Sequence, residues 1–185
     1  MALSKEKIDT LANYYLKYGF HHSTDEIAKG IGISHKTFFN RYKSKEESIN
    51  IVLRYWYVTV ELRFREKAQH CNHAVEELLQ LIYEIGYLHS HESFFMDYLR
   101  KQNLFISDQA PFVKILTEII LNGISHYQFK EDVNVDLYVQ FILNNLTHYN
   151  YQPGNVVEII SFLLSPIITD RSKALIEELD VTNFL

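Results

Sequence analysis

What most constrains this chain is how little interrupts it. Its 185 residues contain only three prolines and six glycines, the residues that most readily stop a helix. Between those breaks apolar residues recur at spacings of three and four, which line one face of a helix, and no alternating stretch reads as a strand. The expected fold class is therefore all-α. A first helix is expected from Ser4 to Tyr18, with Ile8, Leu11, Ala12 and Tyr15 on one face and Gly19 as its stop. Ser23-Thr24-Asp25-Glu26 and Ser44-Lys45-Glu46-Glu47 each place a Glu three residues after a Ser, the pattern of a capping box, and so mark two further helix starts. The second of these opens a long helix over 45–68, with Ile49, Leu53, Trp56, Val60 and Phe64 as its buried stripe. Further helices are expected at 73–88, 91–106, 111–128, 133–149, 155–165 and 170–180. They are divided by His-Ser-His, by the segment Asp108 to Pro111, by Lys130-Glu131-Asp132, by Pro153-Gly154 and by Pro166.

Composition narrows the class. Apolar residues make up 47% of the chain, enough to bury a core, and no run of eighteen of them is present to span a bilayer. The first ten residues are charged and lack the apolar stretch of a secretion signal, and one cysteine excludes an intrachain disulfide, so a cytoplasmic protein with no membrane partner is expected. The net charge is −5, but it is unevenly distributed. Residues 1–54 hold nine Lys or Arg against six Asp or Glu (+3), whereas residues 55–185 hold nine against seventeen (−8). A basic head on an acidic body is what a nucleic-acid-binding protein of this size would show.

Residues 23–43, STDEIAKGIGISHKTFFNRYK, divide into two short helices around a turn at Gly32. Ile27, Ala28 and Ile31 point inward on the first; a small Ala28 permits close crossing, and Gly32 adopts a positive φ at little cost. Ile33 fills the gap after the turn. On the second helix, capped by Ser34, Phe38 and Tyr42 share an inward face, and Lys36, Phe39, Asn40 and Lys43 face out. That outer face suits a major groove.

The ordered set Ile27, Ala28, Gly32, Ile33, Ser34, Thr37, Phe38, Phe39, Tyr42, Ser44, Lys45, Glu46 and Ile49 resembles the signature of the TetR (tetracycline repressor) family. The likeness is strong over the first 54 residues and looser in the C-terminal half. It implies a three-helix helix-turn-helix domain at 1–48, followed by a helical effector-binding and dimerisation domain at 49–185. It further implies a ligand-responsive regulator, a repressor, that binds palindromic operator DNA as a homodimer. Carried over by position, Thr24 and Lys45 hold phosphates at helix starts, and Ser34, His35, Lys36, Thr37 and Asn40 face the bases or adjoining backbone. Asn40, which can pair with adenine, and Lys36, which can pair with guanine, are the expected direct readers. Phe39 stands where the family usually has Tyr; it lacks a phosphate-reaching hydroxyl but can pack on a sugar or a thymine methyl.

The resemblance also implies an effector pocket in the body, and the aromatic surplus there points to an apolar or aromatic small molecule. Trp56, Phe64, Tyr83, Tyr87, Phe95, Tyr98 and Phe105 are its candidate residues, although rings at helical spacing are more often plain core. Leu137, Phe141, Leu146, Ile159, Phe162 and Leu163 exceed what one buried face needs and are candidates for a dimer interface. His70, Cys71 and His73, and separately His89-Ser90-His91-Glu92, are grouped but fall at expected helix junctions, where polar residues need no metal; neither metal nor cofactor is expected. No Gly-x-Ser-x-Gly elbow, phosphate-binding Gly loop, His-Glu-x-x-His or paired Cys-x-x-Cys occurs, so an enzyme is not expected. The competing reading is a helical protein-interaction module whose helix-turn-helix no longer binds DNA.

Overall fold

The computed structural model describes residues 3–107, 110–148 and 156–177. Among them the chain forms ten α-helices and no β structure beyond one isolated bridge. These are α1 (Lys5–Tyr18), α2 (Thr24–Gly30), α3 (His35–Tyr42), α4 (Lys45–Ala68), α5 (Ala74–His91), α6 (Ser93–Lys101), α7 (Pro111–Ser125), α8 (Val135–His148), α9 (Val156–Leu164) and α10 (Asp170–Glu177). No helix of the described residues is long and apolar enough to cross a membrane.

Most boundaries fall where the sequence places them, and the differences have identifiable causes: α6 ends at Lys101 rather than 106, where Asn103 takes φ 53° and Leu104 N returns to Leu99 O at 2.8 Å. His-Ser-His does not break a helix. Ser90 Oγ donates to Gly86 O at 3.0 Å, and His91 stacks on Tyr87 with ring centroids 4.3 Å apart, so both side chains bind the turn before them and α5 continues to His91. The break comes at Glu92 (φ −125°, ψ 37°), whose carboxylate accepts from Trp56 Nε1 and from Arg63 Nη1 on α4. α7 ends at Ser125 rather than 128, with Tyr127 at φ 58° and Gln128 N returning to Gly123 O at 2.8 Å. Phe129 then lies so close to Gly123 that a Cβ there would stand 2.1 Å from its ring. The Phe129–Ile168 bridge, with Lys130 N donating to Ile167 O at 2.8 Å, ties this turn to the one after α9. The expected helix limits at 149, 155 and 180 lie outside the described residues.

α5 is the axis of the body. Every residue from Leu78 to Gly86 is buried, and α4, α6, α7 and α9 pack around it, as a helix apolar on all sides requires. One charge sits in that run: Glu84, fully buried, pairs with Arg63 and lies 3.7 Å from Lys67 Nζ, both on α4. A buried carboxylate persists only when paired, and removing one partner of such a pair costs about 3–5 kcal/mol. The pair therefore fixes the register of α4 on α5.

Candidate nucleic-acid interface

Three serine caps set the starts of the helices of the head. Glu26 N donates to Ser23 Oγ at 3.3 Å while Ser23 N donates to Glu26 Oε2 at 2.8 Å, a complete capping box on α2. Thr37 N donates to Ser34 Oγ at 3.1 Å on α3, and Glu47 N to Ser44 Oγ at 3.0 Å on α4. Each cap contributes about 1 kcal/mol. Between α2 and α3, Gly32 takes φ 71° and Ile33 N returns to Ala28 O at 2.9 Å, which turns the chain sharply. α2 also approaches α1 closely: a Cβ on Gly30 would lie 2.1 Å from the Tyr14 ring of α1.

Below this turn Leu11, Tyr15, Ile27, Ala28, Phe38 and Tyr42 form the buried centre of the head. Full burial of a ring such as Phe38 contributes about 2–3 kcal/mol, enough to fix which way α3 faces. With Phe38 and Tyr42 turned inward, His35, Lys36, Phe39, Asn40 and Lys43 are all exposed on the opposite side. Phe39 packs against His35 at 4.6 Å between ring centroids, and His35 Nε2 lies 3.5 Å from Asp25 of α2. Among the described residues, the Lys36 and Asn40 side chains enter no hydrogen bond or ion pair. Ser34 and Thr37 are joined by their hydroxyls at 2.8 Å; Thr24 and Lys45, half-buried, occupy the first positions of α2 and α4. The eight positions assigned to DNA from the sequence thus lie on α3, its cap, and the starts of the two flanking helices.

The head is joined to the body in two ways. α4 runs without a break from one into the other, and α1 with the loop after it docks on α6. Phe20 stacks on Tyr15 at 4.9 Å and meets Phe95 and Tyr98 of α6 at 4.9 and 4.4 Å. Phe95 stacks in turn on Trp56 at 5.2 Å, Trp56 meets Phe112 at 6.4 Å, and Phe112 stacks on Phe105 at 4.5 Å. Tyr15 closes the other end through its hydroxyl, 2.7 Å from Ser48 Oγ; burial pushes the phenol up to about 12, although Ser48 pulls it down.

Of the seven candidate pocket residues, Trp56, Phe64, Tyr83, Phe95 and Phe105 are buried, Tyr98 is half-buried and Tyr87 is exposed beneath the Arg63 guanidinium. Trp56, Phe95 and Phe105 belong to the ring-on-ring chain just described. Phe64 instead lines a cleft of about 240 Å³ between α4, α5 and α7, with Glu77 of α5 and Glu118 of α7 on its walls. Neither glutamate stood out in the sequence. The available sign was the polar series Glu77, Gln80 and Glu84, which marks one stripe of an otherwise apolar helix.

The candidate interface residues divide. Leu137, Phe141 and Phe162 are exposed and Ile159 is half-buried, but Leu146 and Leu163 lie inside the protomer's own core. Near the grouped histidines, burial and the carboxylates of Glu76 and Glu77 push the Cys71 thiol up to about 11. Among the described residues no set of three or more His, Cys, Asp or Glu is gathered as a metal site.

No protein-family model matches the chain, and no curated protein matches it significantly by sequence. Solved structures do match. The fatty acid degradation regulator FadR from Bacillus halodurans superposes with a TM-score of 0.73 at 16% identity, over 89% of this chain and 97% of that one. FadR from Bacillus subtilis, solved with stearoyl-CoA, gives 0.69 at 19% identity over 85% and 96%. The TetR-family protein CprB from Streptomyces coelicolor, solved with its operator sequence, gives 0.62 at 15% identity over 91% and 90%. The chain has the fold of TetR-family regulators.

Proposed function

We propose that this protein is a ligand-responsive transcriptional repressor of the TetR type, acting in the cytoplasm as a homodimer on palindromic operator DNA. The observation that carries the reading is the outward face of α3. A buried Phe38 and Tyr42, a Ser34 cap and the Gly32 turn hold Lys36, Phe39 and Asn40 toward solvent, ready to meet base edges without reorganisation. The likeness to CprB, which was solved on its operator, supports the same assignment.

Asn40 and Lys36 read bases; Thr24, Ser34, His35, Thr37 and Lys45 contact phosphate or adjoining backbone; Phe39 packs on a sugar or a thymine methyl. The DNA-binding unit comprises residues 1–48 and the effector-binding and dimerising unit residues 49–185. The division falls in the first turn of α4, so a shift of that helix moves the head. Two heads on a two-fold axis enter successive major grooves only when about 34–36 Å apart, or a multiple, so a small displacement releases DNA. The effector enters the body; a FadR structure of the same fold is a complex with stearoyl-CoA. The effector lowers operator affinity by moving α4, which runs unbroken from body to head, against α6, whose Phe95 and Tyr98 hold Phe20 of the head.

The test uses duplexes selected from a random pool by the full-length protein. Asn40→Ala is expected to relax sequence preference, with about 1–3 kcal/mol of discrimination lost at one position. Lys45→Ala is expected to weaken binding to every duplex alike and to reduce the salt slope by about 1. If both variants bind like the parent, the α3 face is not the reader. If the parent shows no salt-dependent binding to any duplex, the protein is an interaction module instead.

A further inference from the structure

The cleft of about 240 Å³ opens among the C-terminal half of α4, the start of α5 and the middle of α7. Phe64, Ile115 and Ile119 give it an apolar floor. Its charged walls are unevenly matched. Arg65 Nη2 binds Glu61 at 2.8 Å and Glu118 at 2.9 Å, and Lys114 binds Glu61 at 3.0 Å, so both cations on this side are engaged by carboxylates. Glu77 is half-buried, accepts from the neutral Asn122 Nδ2 at 3.1 Å, and is in no ion pair among the described residues. Burial, and after it the charge of Glu118, raise its pKa against the opposing Asn122 hydrogen bond and His126. A carboxylate drawn partly out of water beside a second one, and in no ion pair of its own, favours a cation placed against it. Phe64 supplies what a bulky cation also favours, an aromatic surface next to that carboxylate.

We propose that this cleft binds a small organic cation with an apolar or aromatic body, its charge taken by Glu77 and its body lying on Phe64, Ile115 and Ile119. The proposal gives the effector of the preceding reading a chemical class and rests on that reading only for its regulatory consequence.

Titration calorimetry on the full chain, without DNA, tests it with three probes that share a ring and differ in charge: benzyltrimethylammonium, benzyl alcohol and phenylacetate. The cation is expected to bind about ten-fold more tightly than either other probe, a difference of about 1.4 kcal/mol. In Glu77→Gln that preference is expected to vanish while benzyl alcohol binds as before. The amide still accepts from Asn122, so helix content by circular dichroism should be unchanged. Equal binding of the three probes, stronger binding of phenylacetate, or an undiminished preference in Glu77→Gln would each overturn the proposal. Because no DNA is present, failure here leaves operator recognition standing, and failure of operator recognition leaves this result standing.

Discussion

His89 lies on α5 with its ring half-buried, and burial lowers its pKa, with the Arg100 charge pushing the same way and Asp97 opposing. In the unfolded chain a histidine takes up its proton near pH 6.5. In the fold it does so only at lower pH, so between those two values the unfolded state holds more protons. Stability is therefore complete above about pH 6.5 and falls as the pH drops through that window. Thermal unfolding at pH 7, 6 and 5 should show a steeper loss of Tm in the parent than in His89→Gln, and parallel curves would refute this assignment. The α3 residues proposed to meet DNA, His35, Lys36, Phe39 and Asn40, are of the opposite kind, exposed and held by their neighbours rather than by their own burial. The Asn40 side chain is exposed and enters no hydrogen bond or ion pair among the described residues, so its loss is expected to cost recognition and not stability.

Among elements, the contact between head and body is the informative one, because the connection through α4 alone would leave α1 to α3 held on one side. α1 packs directly on α6, and Phe20 extends this second attachment, contacting Tyr15 of α1 and Phe95 and Tyr98 of α6. Phe20→Ala should cost about 2 kcal/mol, below the range for a fully buried ring because Phe20 is half-exposed. The loss should be local. Hydrogen exchange should show faster exchange of α1 and α2 amides with those of α5 unchanged, whereas a uniform change would mean that the ring merely fills a common core. The helices themselves were largely legible in the sequence, since caps at Ser23, Ser34 and Ser44 and the stripe from Ile49 to Phe64 are local signals. The break between α5 and α6 was not. His-Ser-His reads as a junction, yet its side chains bond back along the helix, and the break at Glu92 is set by Arg63 and Trp56, distant in sequence. For the same reason the outward face of α3 could be read from its spacing, but the Glu77 cleft could not: it exists only where three helices meet.

At the scale of the whole molecule, the distribution of exposed apolar residues is what assembly has to explain. Leu137 and Phe162 are 67% and 60% exposed, and Phe141 lies between them, 6.4 Å from Phe162 across the α8–α9 face. Leu137 also borders a hollow of about 270 Å³ with Tyr138, Pro166 and Ile167. Leu146 and Leu163 face the other way, into the protomer, so α8 and α9 are each apolar on two sides. One side serves the fold and the other is free for an isologous contact, in which the same patch pairs with itself across a two-fold axis. Phe162→Asp places a charge on the free side and leaves Leu163 and Leu164 in the core. It is expected to give a monomer with unchanged helix content, and the parent is expected to sediment as a dimer at micromolar concentration. The same variant reports on DNA. A dimer holds its second head near the second half-site, and linking two binding events in this way raises the overall affinity by about 10²–10⁴-fold. Phe162→Asp should lose that factor on a palindrome while binding a single half-site as the parent does. A parent that sediments as a monomer would refute the pairing, as would a Phe162→Asp variant that remains a dimer, because in either case the exposed rings of α8 and α9 would have no part in bringing two heads together.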